Sequence, residues 1–241
     1  MTGAAPQTVA VVVPLKDEEA GVGALAAALA ALREELLPEW ELASVLVDDG
    51  SVDGTWAALR RQFGTDANVC LLRHERNRGL AAAIRTGLLG TEATVCASID
   101  ADLSYDPREL RAMLPLLAEA DVVTASPYHP RGGVLGVPAW RLCLSRSLSR
   151  CYRVLLRSDI RTWTSCFRVY RRAAVVDLPL DHEGFLGTAE LLVRVLRRGG
   201  RVREHPCVLG VRRVGASKMK VLRTIAGHLG LLWQVARGRI A

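Results

Sequence analysis

Aromatic side chains are scarce in this chain: Phe, Tyr and Trp together make up 5% of it. They do not interleave with basic residues along any strand-like stretch, which argues against a base-stacking platform for nucleic acid. Ligand-type cysteine patterns are missing too. The 6 Cys residues stand singly at 70, 96, 143, 151, 166 and 207, without a CxxC or a Cys/His ligand spacing, and read as reduced, mostly buried thiols. No apolar run approaches the roughly 20 residues that span a bilayer, so any membrane contact is expected to be peripheral or made through a partner protein. The opening Met-Thr-Gly-Ala-Ala-Pro-Gln has neither the basic n-region nor the apolar h-region of a secretory signal, and a cytoplasmic protein is expected.

What remains is a chain of 241 residues, enough for one domain, or one domain with a tail, around a large apolar core. Its 32 Lys and Arg against 25 Asp and Glu give a net charge of +7, which suits nucleic acid, anionic lipid or diphosphate partners without choosing among them. Strand-like and helix-like stretches alternate. Val9 to Val13, Leu42 to Val47, Val69 to Leu72, Thr94 to Ile99 and Asp121 to Ala125 are β-branched or apolar runs. Between them fall helical stretches from Val22 to Leu37, Trp56 to Phe63, Asn77-Arg78-Gly79 to Leu89, and Pro107 to Leu117. This alternation predicts an α/β, Rossmann-like and mostly parallel sheet flanked by helices, with ligands beyond the carboxyl ends of the strands. Further on, the pattern predicts helices near Trp140 to Leu156 and Ala189 to Arg198, and strands near Cys166 to Tyr170 and Val202 to Val208.

Polar clusters fall at the strand ends. Asp100 and Asp102, two apart, can point the same way and meet one Mg²⁺ or Mn²⁺ whose shell phosphate oxygens complete. Such an ion neutralises charge on a departing diphosphate. The same string also fits a solvated turn, with Asp106 capping a helix that starts at Pro107. Asp48 and Asp49 form a second acidic strand end, able to accept hydrogen bonds from a ribose or base edge or to cap the following helix. Arg212 to Lys218 gathers guanidinium, glycine, hydroxyl and ammonium groups, either a diphosphate clamp or a basic surface run.

The order VVVPLKDEE, VDDGSVDGT, NRG, DADLSYDP, TSCFRVYRR and RRVGASK, across nearly the whole chain, resembles glycosyltransferase family 2, and within it the polyprenol- and dolichol-phosphate mannosyl- and glucosyltransferases. The resemblance implies a GT-A fold, placed over residues 1–218, and the apolar periodicity after it reads as an amphipathic helical tail over 219–241. It implies an inverting transfer of a hexose from a GDP- or UDP-linked sugar. It also implies that Pro14, Asp17, Glu18, Asp48 and Asp49 line the nucleotide pocket, that Asp100 and Asp102 hold the divalent metal and diphosphate, and that Arg212, Ser217 and Lys218 hold phosphate on a closing loop. Arg141 and Ser145 stand where the family often clamps the acceptor phosphate. Ser104 replaces a frequent Gln, and Pro127 a frequent Arg.

Acid–base chemistry bears on the acceptor that the resemblance implies. A phosphate monoester, with its second pKa near 6, is already largely anionic at neutral pH and needs no general base, whereas a hydroxyl acceptor does. Glu190 stands alone where hydroxyl-transferring relatives often have an acidic pair, which favours a lipid phosphate. A hydroxyl acceptor with Glu190 or another carboxylate as base is the alternative, and an inactive sugar-nucleotide binder a further one. Glu190 itself fits either a sugar-holding role or a helix-face pair with a neighbouring Arg. Arg146, Arg150, Arg153 and Arg157 recur beside Leu144, Leu148 and Leu155, while Ile225, Leu229, Leu232, Trp233 and Ala236 share one face before Arg237 and Arg239. Both stretches suit a helix lying in a membrane interface or one packed on the core with a basic outer face.

Overall fold

The computed structural model describes residues 7–210 and 221–240. In chain order the elements are β1 (Gln7–Leu15), α1 (Val22–Leu36), β2 (Trp40–Asp48), α2 (Thr55–Phe63), β3 (Val69–Arg73), α3 (Leu80–Leu89), β4 (Val95–Ser98), α4 (Leu110–Met113) and β5 (Val122–Ser126). They continue with β6 (Gly133–Val134), α5 (Ala139–Leu156), β7 (Arg168–Arg171), α6 (Phe185–Arg197), β8 (Val202–Pro206), β9 (Val208–Leu209) and α7 (Val221–Ala236).

The first half follows the alternation closely, because its strands are buried on both faces and so read as unbroken apolar runs. β1 shows why. Val9, Val11 and Val13 face one core layer with α1 and α2, while Ala10 and Val12 face the other with α3 and α6. All five are fully buried. The sheet runs β3-β2-β1-β4-β7-β5-β8, with β6 and β9 pairing separately as a two-stranded ribbon.

Three features depart from the sequence reading. β7 is antiparallel to both β4 and β5, so a single reversed strand sits inside an otherwise parallel sheet. The helix expected from Pro107 to Leu117 is broken into the 3-10 turn Pro107–Glu109, α4 and the 3-10 turn Leu114–Ala118, because Pro115 has no N–H to continue the ladder. The strand expected from Val202 to Val208 divides at Pro206-Cys207 into β8 and β9. Of the six thiols, Cys96, Cys166 and Cys207 are buried, while Cys70, Cys143 and Cys151 are exposed.

Buried polar groups tie the reversed strand down. The Arg168 guanidinium is 1% exposed and donates to the carbonyls of Thr188 (2.6 Å) and Trp163 (2.8 Å), joining β7 to α6. Burial pulls its pKa below the usual guanidinium value. Ser98 donates to the Cys166 carbonyl and lies 2.8 Å from the Tyr170 hydroxyl.

α7 packs on α5 and α6 through His228, Leu231 and Val235, all buried, whereas Leu229 and Trp233 point outward. The expected boundary between 218 and 219 lies outside the described residues. His228 Nδ1 is 2.9 Å from the Tyr152 hydroxyl, and burial, reinforced by His182, pushes its imidazole down from 6.5 to about 4. Above pH 6.5 both folded and unfolded chains keep this ring neutral. Below it the unfolded chain takes the proton first, so stability falls as pH drops toward 4, by about 3 kcal/mol for a shift of this size. Denaturant unfolding between pH 7 and 4 is expected to show this slope, and His228→Phe is expected to flatten it.

Candidate active site

The loops leaving β1 and β2 are knitted together at the carboxyl end of the sheet. Lys16 Nζ reaches the Gly50 carbonyl at 2.9 Å, the Asp17 N–H donates to Ser51 Oγ at 2.9 Å, and Val52 N–H donates back to Asp17 Oδ1 at 2.9 Å. The Glu18 N–H donates to Thr55 Oγ1 at 2.8 Å. Asp17 is held at φ 53, a conformation a non-glycine residue adopts only where its surroundings fix it.

The two acids of the second strand end part company. Asp48 is fully buried, accepts from the Ser51 N–H at 2.9 Å and pairs with Arg73 Nε at 3.1 Å. It therefore braces the loop from behind and is not among the residues that border the cleft. Asp49 does border it. Its carboxylate accepts from the N–H groups of Arg78 (2.8 Å) and Gly79 (2.7 Å) and from His74 Nδ1 (2.7 Å), and so shapes the Asn77-Arg78-Gly79 turn. Gly79 sits at φ 110 with the Glu183 carbonyl 2.6 Å from where a Cβ would stand, so only glycine fits there.

Beyond β4, Asp100 and Asp102 both line the cleft, separated by Ala101. The turn is set by Leu103 at φ 54 and by the Ser104 N–H, which donates to Asp102 Oδ1 at 3.0 Å. Asp106, not Asp102, does the capping, accepting from the Arg108 N–H at 3.0 Å. Two hard carboxylates facing one solvent-filled space are the donor set that Mg²⁺ or Mn²⁺ takes when phosphate and water supply the remaining oxygens, and the site fits such an ion. The Ser104 carbonyl in turn accepts from the Gly210 N–H at 2.8 Å, so the chain entering 211–220 leaves from beside this acidic loop.

The opposite wall is the loop Asp181 to Gly184 and the start of α6. Here Glu190 proves to be a hub. It is fully buried and accepts from the N–H groups of Asp181 (3.0 Å) and His182 (3.0 Å), from His182 Nδ1 (2.9 Å) and from Arg194 Nε (2.7 Å). Burial pushes its carboxyl up, but these donors outweigh burial and hold it below its ordinary value. Glu190 thus takes the helix-face pairing with Arg194 and, 0% exposed, positions the wall rather than forming its surface. The sequence reading passed over Asp181, His182 and Glu183, whose signal was an acid-His-acid-Gly string just ahead of a helix.

The resulting cleft has a volume of about 1040 Å³ and is bordered by Pro14, Lys16, Glu18, Asp49, Asn77, Gly79, Asp100, Asp102, His182, Glu183 and, from α7, Thr224, Ala226 and Gly227. Arg212, Ser217 and Lys218 lie outside the described residues, as does the Arg141 side chain. Ser145 is half-buried on α5 and is not among the described residues bordering this cleft. Replacing Glu190 with Gln leaves buried donors without their anion and is expected to cost roughly 2–4 kcal/mol in denaturant unfolding. The stability conferred by this carboxylate is present above pH 4.5 and is lost as pH falls through its depressed folded-state value, so the variant and the parent are expected to converge in acid.

The comparisons with known proteins agree with this architecture. Residues 10–178 match the family model described as Glycosyl transferase family 2. The chain is 34% identical over 183 residues to a polyprenol monophosphomannose synthase of Mycolicibacterium smegmatis, covering 73% of this chain and 69% of that one. It is 28% identical over 221 residues to an undecaprenyl-phosphate mannosyltransferase of Micrococcus luteus, covering 86% and 89%. Among solved structures, glucosyl-3-phosphoglycerate synthase of Mycobacterium tuberculosis, in complex with Mn²⁺, uridine diphosphate and glucosyl-3-phosphoglycerate, superposes with a TM-score of 0.70 at 17% identity, over 96% of this chain and 80% of that one. At that identity the likeness speaks for the fold alone, which is GT-A. By sequence match and by architecture, the chain is a glycosyltransferase and belongs to glycosyl transferase family 2.

Proposed function

We propose that this enzyme transfers a hexose, with inversion, from a UDP- or GDP-linked donor to a polyprenyl phosphate at the cytoplasmic membrane face. One observation carries the reading: Asp100 and Asp102 open on the same cleft that Thr224 of α7 borders, while Gly210, just before segment 211–220, donates to the Ser104 carbonyl of the acidic loop. Between those two points the sequence carries Arg212, Ser217 and Lys218.

In this mechanism the Pro14–Glu18 loop and Asp49 hold the nucleotide, and Asp100 and Asp102 hold the divalent ion with the diphosphate. When bound, that ion offsets the negative charge that gathers on the leaving diphosphate. Arg212 and Lys218 add fixed positive charge to the same group, and Ser217 a hydroxyl donor. The acceptor phosphate oxygen attacks the anomeric carbon from the face opposite the leaving group. As the new C–O bond forms, the bond to the diphosphate breaks with its electron pair, which gives inversion. No proton has to be removed from the nucleophile, since the monoester is already dianionic over much of the neutral range. The burial of Glu190 and its four donors agree with this, because a carboxylate so committed is poorly placed to act as a base. Arg141 and Ser145 are assigned to the acceptor phosphate.

Approach to a lipid acceptor is served by peripheral contact. Among the described residues no helix is long and apolar enough to cross a membrane. α5 exposes Trp140 and Leu144, and its Arg146, Arg150 and Arg153 line a concavity of about 610 Å³ with Arg157, just past its end, and Arg161. Leu229 and Trp233 of α7 are also exposed, and Arg237 and Arg239 stack on the Trp233 ring at 4.2 and 4.9 Å. Exposed indole and guanidinium groups side by side suit an anionic interface.

Asp102→Ala is expected to lower metal-dependent turnover by roughly 10²-fold or more while leaving the circular dichroism and melting profile unchanged. Full activity of that variant in excess chelator would remove the metal from the reading. With radiolabelled donor and a polyprenyl phosphate, the label is expected to enter the organic phase on extraction. Label that stays in water with every lipid tested, but moves onto a soluble hydroxyl acceptor, would replace the lipid-phosphate reading with the hydroxyl one.

A further inference from the structure

β8 is an edge strand of the sheet, and where it hands over to β9 it carries His205 and Cys207, two residues apart in extended chain, on the same side. Glu109 comes up to meet them from the end of the 3-10 turn Pro107–Glu109. His205 Nε2 lies 2.9 Å from Glu109 Oε2, and one ligand atom from each of Glu109, His205 and Cys207 falls within 4.8 Å of the others. This is the one such three-residue group of His, Cys and carboxylate among the described residues.

We propose that Glu109, His205 and Cys207 form a zinc site, distinct from the Asp100–Asp102 acids, with solvent in the fourth position. The donor set points to zinc. Imidazole nitrogen, thiolate sulfur and carboxylate oxygen are its usual ligands, whereas Mg²⁺ and Mn²⁺ prefer oxygen alone. The geometry is close. Tetrahedral bonds of about 2.0–2.1 Å to nitrogen or oxygen and about 2.3 Å to sulfur set ligand atoms roughly 3.3–3.6 Å apart. The hydrogen-bonded pair at 2.9 Å must open slightly, and a separation at the 4.8 Å limit must close by roughly 1.2–1.5 Å, movements within the reach of side-chain rotation.

Access and protonation are consistent with an ion that arrives after folding. Cys207 is 2% exposed, while the His205 and Glu109 side chains are 15% and 38% exposed, so the open side of the site is the Glu109 side. Burial, with the Glu109 charge beside it, pushes the Cys207 thiol up to about 12. Without an ion the group is therefore a protonated thiol. Coordination replaces the S–H bond with a sulfur–zinc bond and sends that proton to solvent, with no change of oxidation state. The two chain segments so joined are the turn that follows Asp106 and the strand that leads to Gly210, both attached to the acidic loop. The ion would brace that loop from its outer side, apart from any part in sugar transfer.

The test uses the full-length enzyme, stripped with chelator and titrated with Co²⁺ as a spectroscopic stand-in and with Zn²⁺ itself. One equivalent of Co²⁺ is expected to give a sulfur-to-metal charge-transfer band in the near ultraviolet, and Zn²⁺ to displace it and raise the melting temperature. Cys207→Ser is expected to abolish the band. Glu109→Ala, a surface change that is expected to fold normally, should weaken metal binding at least tenfold, while Cys70→Ser and Asp102→Ala keep the band. Absence of the band from the parent protein, its survival in Cys207→Ser, or its loss in Asp102→Ala would each overturn the proposal. None of these readouts depends on whether sugar is transferred.

Discussion

A carboxylate taken out of water has to be met by donors, and this fold satisfies two of them with the backbone of the loops that make its cleft. Asp49 gathers the N–H groups of Arg78 and Gly79, and Glu190 those of Asp181 and His182. Each acid is buried on a regular element or at its end, and each loop would otherwise have unmet amides of its own. The two requirements cancel, and the loop geometry is the result. The two walls then touch each other: Arg78 pairs with Glu183 at 2.9 Å, and Gly79 packs under the Glu183 carbonyl. The two walls of the cleft are thus joined by this pair and by the Ala82 N–H on the Glu183 carbonyl at 3.0 Å, together with the apolar packing of α3 on α6.

This arrangement divides the acids by role. Those that bind the protein to itself, Asp48, Asp49 and Glu190, are at least nine-tenths buried. Asp100 and Asp102 instead border the cleft, with the Ser104 N–H on Asp102. Sequence spacing could not make that distinction. Asp48 and Asp49 are adjacent and chemically identical, yet the pleat sends one inward to Arg73 and the other to the cleft.

The first half of the fold was legible because its strands are central and parallel, so that apolar runs and strand ends coincide with element boundaries. Asp100 and Asp102 were legible for the same reason, since a strand must stop where two acids follow Ile99. The reversal of β7 left no trace in hydrophobic pattern, because a strand buried on both faces reads the same in either direction. The breaks at Pro115 and at Pro206 were written in the sequence and were passed over in favour of longer periodic stretches. Half of the role of Glu190 was legible, since its pairing with Arg194 one turn on follows from helical spacing, but two of its donors are main-chain amides of residues eight and nine positions earlier, and amides carry no side-chain signature. The same holds for His205 and Cys207, whose third companion lies almost a hundred residues away.

The reversed strand has an architectural consequence. Arg168, which begins β7, pairs with Ser98 and Thr124 near the ends of β4 and β5, so the chain enters the sheet at the same rim from which those strands leave. No crossover is needed between α5 and the sheet. Everything from Pro127 to Phe167 is an excursion that departs from and returns to one edge of the molecule. Its length can therefore vary by insertion without re-threading β4 or β5, provided the side chains it sends into the core, Tyr152 and Trp163 among them, are kept.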